Sequence, residues 1–189
     1  MGLDTTVVKP PVAEKTVVQP VVETERFVLR PVRRSDMGLW GHYAGDSRVA
    51  VMTPSIPHPL PPAAGEAFVA RATSDDREAD VWVIDATKSE GGEVLGVIQL
   101  ERMDRNQSEV SYWVAPAFWN TGLASEAVRA LVEANPMGNA TMFASVFQDN
   151  PASARVLVNC GFEYIGDAET FAVARNSKVP TWTYLKKLS

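Results

Sequence analysis

The run Ala117-Phe118-Trp119-Asn120-Thr121-Gly122-Leu123-Ala124 carries the first suggestion of chemistry in this sequence. It leads into an apolar i, i+3, i+4, i+7 stripe made of Ala124, Ala127, Val128, Leu131 and Val132, which predicts a helix starting at its end. The first N–H groups of a helix have no intrahelical partner, and the helix dipole is positive there. Such a start binds an anion without needing a lysine. Gly122 would let a ligand approach the backbone where a Cβ would block it. No Gly-Lys-Ser/Thr follows, so this is not a P-loop, and the dinucleotide fingerprint is absent too. The same residues also read as an ordinary glycine-containing turn before a helix, and the loop alone does not choose between the two. Further on, Asn150-Pro151 opens a second helix, with Asn as cap and Pro at the first helical position. Cys160 is the single cysteine; it reads as a small buried hydrophobe and excludes both a disulfide framework and a multi-cysteine zinc site. The two histidines, His42 and His58, have no neighbouring ligand at metal spacing, so no metal is expected.

The elements that must position these groups belong to an ordinary globular composition. The chain has 189 residues, 46% hydrophobic and 22% charged, which predicts one domain, with a tail at most. Eighteen Lys+Arg against twenty-three Asp+Glu leave a net charge of −5. A net-negative chain is a poor general binder of nucleic acid or anionic membrane, so neither is an expected partner, and any anion must be held locally. No apolar stretch approaches the roughly 20 residues of a membrane span, and no secretory signal is legible, so a cytoplasmic location is expected. Met1-Gly2-Leu3-Asp4-Thr5-Thr6 fits the loose myristoylation pattern, with no second anchoring signal beside it.

Residues 1–21 stand apart. Thr6-Val7-Val8-Lys9-Pro10 is echoed by Thr16-Val17-Val18-Gln19-Pro20, and the prolines forbid a helix, so a flexible or edge-docked tail is expected, with the folded domain over 22–189. A strand is expected at Arg26–Arg30, ended by Pro31, and then a helix capped by Ser35-Asp36. Residues 53–62 hold five prolines and read as a constrained loop before a helix at 63–70. Strands are expected at 81–84, 93–100 and 108–114, the last two joined as an antiparallel hairpin through Asp104-Arg105-Asn106-Gln107. Gly96 inside one of them signals a bulge or a close backbone approach. The loop and helix described above follow, then a strand at 141–147, the second helix to Gly161, and strand and turn to the end. Strands first, then two strand–helix units, predict a mixed α+β sheet domain.

These motifs together resemble a known family. Trp119-Asn120-Thr121-Gly122-Leu123-Ala124 with Ser125-Glu126-Ala127 is similar to the pyrophosphate loop of the GNAT N-acetyltransferases, whose pattern is Gln/Arg-x-x-Gly-x-Gly/Ala. Trp at the first position is typical of the RimJ/RimL-like branch, which acetylates protein N-termini. Asn150-Pro151-Ala152-Ser153-Ala154-Arg155, closed by Cys160-Gly161-Phe162, resembles that branch's second CoA segment. Glu23-Thr24-Glu25-Arg26-Phe27-Val28-Leu29-Arg30-Pro31 resembles its first strand, and Glu109-Val110-Ser111-Tyr112-Trp113-Val114 the strand before the pyrophosphate loop. The likeness runs in order over about residues 22–188.

The resemblance implies the GNAT fold: an α+β domain with a mixed, mostly antiparallel sheet, helices on both faces, and a V-shaped splay between two parallel central strands, here 109–114 and 141–147. It implies acetyl-CoA as cosubstrate, with the amides of Asn120, Thr121, Gly122, Leu123 and Ala124 on the pyrophosphate. Thr121 departs from the family's frequent basic residue, which shifts more of the work to backbone amides. Asn150 would contact the cofactor arm besides capping its helix. Ser153 matches the position whose hydroxyl serves the departing thiolate, or else is a solvent-facing helix serine. Backbone amides near Val114 would polarise the acetyl carbonyl as an oxyanion hole does. Acetyl transfer needs a neutral amine and hence a proton acceptor. Glu109, opening a largely apolar strand where burial raises a carboxyl pKa, is the expected base, with Glu101 the second candidate; a surface carboxylate is the plain alternative. Tyr112 and Trp113 read as core and wall. The expected activity is direct transfer from acetyl-CoA to a primary amine, a peptide N-terminus or a small molecule, through a ternary complex. The acceptor groove is expected between residues 35–70 and 165–180, walled by loop 53–62. A homodimer is allowed. The alternative function is a non-catalytic acyl-CoA sensor or scaffold of the same fold.

Overall fold

A computed structural model describes residues 18–189. The chain runs β1 (Val22–Glu23), β2 (Val28–Pro31), α1 (Met37–Ala44), α2 (Ser47–Ala50), α3 (Ala64–Thr73), β3 (Ala79–Asp85), β4 (Gly96–Met103), β5 (Gln107–Val114), α4 (Leu123–Ala134), β6 (Thr141–Phe147), α5 (Pro151–Asn159), β7 (Glu163–Ala172) and β8 (Ser177–Lys187). The strands form one eight-stranded sheet in the order β1-β2-β3-β4-β5-β6-β8-β7. Every neighbouring pair is antiparallel except β5–β6, which is parallel. This is the expected mixed α+β architecture. Most of the tail expected over 1–21 lies outside the described residues. Of the part described, Gln19 donates to the Val81 carbonyl at 2.7 Å, and Trp82 donates its indole N–H to the Pro20 carbonyl at 2.8 Å.

Helices cover both faces, and the sheet's burial follows. β3 is buried along nearly its whole length, and its Val-Trp-Val-Ile run is the unbroken apolar pattern of a strand covered twice. On one face α4 and α5 pack Val128, Leu131 and Leu157 against Ile98, Leu100, Val110 and Met142. On the other face α1, α2 and α3 pack Trp40, Val49 and Phe68 against Val81, Val83 and Val97. Trp40 and Phe68 stack with ring centroids 4.4 Å apart. Truncating a fully buried Leu131 or Leu157 to Ala costs about 2–5 kcal/mol. β7, at the sheet's edge, is exposed over most of its length.

Three local expectations are refined. Pro31 pairs with Trp82 as the last residue of β2 rather than lying beyond it, a place where the missing N–H leaves no gap inside the ladder. Asp36 does not cap α1. It is buried and accepts instead from Arg30 and from the Arg33 amide, because a buried guanidinium needs its charge more than a helix end does. At Gly96 the close-approach reading holds and the bulge does not. A Cβ there would collide with the Trp113 carbonyl, while the β4–β5 register runs unbroken from Gly96↔Val114 to Met103↔Gln107.

Candidate active site

β5 and β6 pair only over Gln107–Glu109 with Thr141–Phe143, although both strands continue. Beyond Glu109 the sheet opens. The Ala115 amide bonds the Leu95 carbonyl, so Gly96↔Val114 is a non-hydrogen-bonded pair of the antiparallel ladder. By the alternation of such ladders, the backbone groups of Tyr112 and Val114 point away from β4, into the opening. The indole of Trp119 occupies the Val114 carbonyl at 2.7 Å, leaving the Val114 N–H as the group that faces the gap.

The Trp119–Gly122 loop lies at the open end of this gap. Asn120 and Gly122 both hold positive φ, 59° and 79°, and α4 begins directly after them. No side chain caps the helix, and Asn120, Thr121 and Gly122 are exposed, so the first-turn amides are accessible. A Cβ at Gly122 would sit at an ordinary 3.6 Å from the Arg26 guanidinium, so the glycine is required by its backbone angle rather than by ligand clearance. The Arg26 side chain, from the turn between β1 and β2, donates to the Thr121 carbonyl at 2.8 Å and to Glu126 of α4 at 2.6 Å. Sequence reading did not single out Arg26 or Glu126, which lie 100 positions apart.

On the α4/α5 face, Asn150 caps α5 by accepting from the Ser153 amide at 3.3 Å. Ser153 is not a solvent-facing serine. Its hydroxyl donates to the Tyr112 hydroxyl at 3.0 Å, and that phenol donates back to the Ser153 carbonyl at 3.1 Å. Burial pushes the Tyr112 phenol far above its ordinary pKa, so it stays protonated. The sequence offers Tyr112 and Trp113 only as core and wall. The alternation of Tyr112 with Val110 and Val114 places it on the α5 side, but only the tertiary packing brings it to Ser153. Cys160 is buried, as expected; burial raises its thiol pKa, and its Sγ donates weakly to the Ser125 carbonyl at 3.5 Å.

Glu109 sits at the last paired position of β5, where the opening begins. By strand alternation it shares a face with Trp113, on the α1–α3 side, opposite to Tyr112 and Ser153. Glu101 stands directly across from it on β4. Burial is the main cause that raises the Glu109 pKa, the Glu101 charge raises it further, and a hydrogen bond from Ser145 acts the other way. Glu101 also lines a cavity of about 980 Å³ whose walls include Trp40, Ile56, Leu60, Phe68 and Val81. The tip of the β7–β8 hairpin reaches the chain that follows α2. Arg175 donates to the Val51 carbonyl at 2.7 Å, pairs with Asp149 at 2.6 Å and lies 4.8 Å over the Phe147 ring, and the Val173 amide bonds the Pro54 carbonyl at 3.0 Å.

Comparison with known proteins decides the family. The sequence model described as the acetyltransferase (GNAT) domain matches residues 26–163. This chain belongs to the GNAT acetyltransferase family. It is therefore an acyltransferase. It is 23% identical over 170 residues to the uncharacterized N-acetyltransferase YoaA of Bacillus subtilis (strain 168), covering 87% of this chain and 95% of that one. Among solved structures, RimJ of Mycobacterium smegmatis, in complex with CoA-disulfide, superposes with a TM-score of 0.75 at 19% identity, over 89% of this chain and 87% of that one. Spermidine N-acetyltransferase of Vibrio cholerae, in complex with CoA and spermine, gives 0.70 at 15% identity, over 86% and 96%. These likenesses confirm the expected GNAT fold.

In this acetyltransferase the expected residues fall into three places. Asn120, Thr121, Gly122, Leu123 and Ala124 form the helix start, with Val114 at the neighbouring strand end. Ser153, whose amide Asn150 caps, meets Tyr112 on one face of the opening, and Glu109 with Glu101 lies on the other. Among the described residues no group of three His, Cys, Asp or Glu could hold a metal, and no helix is long and apolar enough to cross a membrane.

Proposed function

We propose that this enzyme transfers the acetyl group of acetyl-CoA directly to a primary amine, a peptide N-terminus or a small-molecule amine, within a ternary complex formed by residues 22–189. The observation that carries this reading is the opening between β5 and β6, with an amide-lined helix start at its wide end, a carboxylate on one face and a hydroxyl pair on the other. The exposed amides of Asn120 to Ala124 hold the pyrophosphate, as a helix N-terminus favours. Backbone groups of Tyr112 and Val114 facing the gap bond the pantetheine amides, and the Val114 N–H polarises the thioester carbonyl. Glu109 takes the proton of the attacking ammonium, directly or through one water, and its raised pKa brings it nearer to the amine's working range. The amine nitrogen bonds the acetyl carbon, the carbon–sulfur bond breaks, and the sulfur leaves as thiolate. The new amide nitrogen sheds its second proton to water, and the Ser153 hydroxyl, oriented by the Tyr112 phenol, passes a proton to the thiolate and regains one from that water, so that the products are the amide and the free thiol. The M. smegmatis and V. cholerae neighbours, whose structures contain CoA, support CoA as the cosubstrate.

The test is acetyl-CoA binding and turnover. At about 100 times its dissociation constant the cosubstrate should add roughly 2.7 kcal/mol of stability, read as a rise in Tm. Turnover is expected with at least one member of a panel of peptide N-termini, polyamines and amino acids, and Ser153→Ala should lower kcat. Tight CoA binding without turnover on any amine would turn the reading toward a sensor, and no thermal shift in millimolar acetyl-CoA would remove it.

A further inference from the structure

Arg26, where the family match begins, reaches Glu126 of α4 beside the Thr121–Gly122 turn. The Arg26 Nε and backbone N both donate to the Glu126 carboxylate, at 2.6 and 3.2 Å, while Nη1 donates to the Thr121 carbonyl at 2.8 Å. Burial pushes the Glu126 carboxyl up, but the Arg26 bonds outweigh it and hold the carboxyl below its ordinary range, so the pair is ionised. Arg26 therefore grips one particular peptide unit, Thr121–Gly122. In a planar trans peptide the C=O and the next N–H point in opposite directions. With its carbonyl turned to Arg26, this unit aims the Gly122 N–H away from the guanidinium, out of the loop.

Glycine tolerates either orientation of that peptide, because it accepts φ of both signs almost equally. The observed φ of 79° corresponds to one of them. Flipping the unit would bring φ to the negative side, turn a carbonyl toward the bound anion and withdraw a donor. The loop's own sequence does not choose; Arg26 does. Glu126 in turn fixes Arg26, and Arg26 cancels a negative charge that would otherwise sit in the first turn of α4, close to the anion.

We propose that Arg26, held by Glu126, is a positioning residue for the cosubstrate's pyrophosphate: it locks the Thr121–Gly122 peptide so that the Gly122 amide faces the phosphates. Its side chain acts on the backbone rather than on the ligand. This rests on the reading of the loop as the pyrophosphate site, and it accounts for how Thr121 can stand where the family often has a basic residue.

The experiment is calorimetric titration of the full chain with CoA and with pantetheine, which lacks the pyrophosphate. Arg26→Gln should weaken CoA about tenfold, on the scale of one charge-assisted hydrogen bond, and leave pantetheine unchanged. Arg26→Lys keeps the charge but not the forked grip, and should fall with Arg26→Gln rather than with the wild type. As a second readout, the Gly122 amide should show a CoA-induced 15N shift and slowed hydrogen exchange in the wild type and lose both in Arg26→Gln. Unchanged CoA affinity, an equal loss for both ligands, or full restoration by Lys would overturn the proposal. A wild-type chain that binds no CoA would instead overturn the acetyl-CoA reading, and the two failures are distinct.

Discussion

Two clusters of charge on this one sheet are built in opposite ways. At β2 and β3, Arg30 lies buried between two buried carboxylates. It donates to Asp85 at 2.6 Å and, with both Nη atoms, to Asp36 at 2.7 and 2.9 Å. The carboxyl bonds drive the Arg30 pKa further above its already high ordinary value, despite burial. Burial pushes Asp85 up, but Arg30 and Thr87 overcome it and hold Asp85 low. At β4 and β5, Glu101 and Glu109 face each other with like charges and no ion pair between them, and Glu109 is pushed up. Like charges directly opposite in a ladder are destabilising. The first cluster is satisfied and holds the fold, whereas the second is frustrated and sits where the sheet opens. Compensated charge holds the architecture here, and the uncompensated pair stands where the base proposed above would act.

The largest effect should come from breaking the satisfied cluster. Arg30→Met leaves Asp36 and Asp85 buried without their partner and should cost about 3–5 kcal/mol, read from urea unfolding. The wild-type cluster also sets a pH signature. A carboxyl with a lowered native pKa contributes stability that is present above its ordinary pKa and is lost as the pH falls through the native value. Asp85 should therefore stabilise at neutral pH and give way on the acid side of the carboxylate range. That acid limb should shrink in Arg30→Met.

Glu109→Gln should behave oppositely: kcat falls by about 10²–10⁴-fold while the urea midpoint holds or rises. The sign is reversed because the Glu109 pKa is raised. Native Glu109 binds more protons than the unfolded chain as pH rises from the ordinary glutamate value to the raised one, so stability declines across that window. Activity climbs across the same window as the carboxylate forms. Both slopes should vanish in Glu109→Gln, and an unfolding free energy with unaltered pH dependence would contradict the frustrated-pair account.

The smallest effect is expected at the neighbour. Glu101→Gln removes the opposing charge and should raise stability by about 0.2–1 kcal/mol. It should also move the acid limb of the kcat profile to lower pH, because one cause of the raised Glu109 pKa is gone. An unmoved limb would mean that the Glu101 charge has no part in tuning Glu109, leaving burial and the Ser145 bond.

How much of this was legible beforehand depends on the range of the rule involved. The helix start after Gly122 and the Asn150-Pro151 cap were readable because a stripe of period 3.6 and a capping residue are local signals, and both elements stand where they were expected. The Gly96 close approach was readable for the same reason. Asp36 was misassigned because a local capping rule lost to a buried guanidinium six residues earlier in the chain. Arg26 was invisible because nothing in the sequence around its turn says that it will meet Thr121, 95 positions on. Tyr112 meets Ser153 across 41 positions and was hidden in the same way.

Spacing along the chain was enough for β2 to β6, for α1, α3, α4 and α5 in their order, for the family likeness and for the amide-rich helix start, since each follows from backbone rules that act within a turn or a strand, whereas β1, α2 and the long β7–β8 pair were not legible there. Only the tertiary structure decided that Glu109 faces Glu101, that Ser153 lies under Tyr112 on the opposite face, that the sheet opens after Glu109, and that Arg26 turns the Thr121–Gly122 peptide. Those are matters of register and packing: a shift of one residue in a strand exchanges its two faces, and no single segment carries that choice.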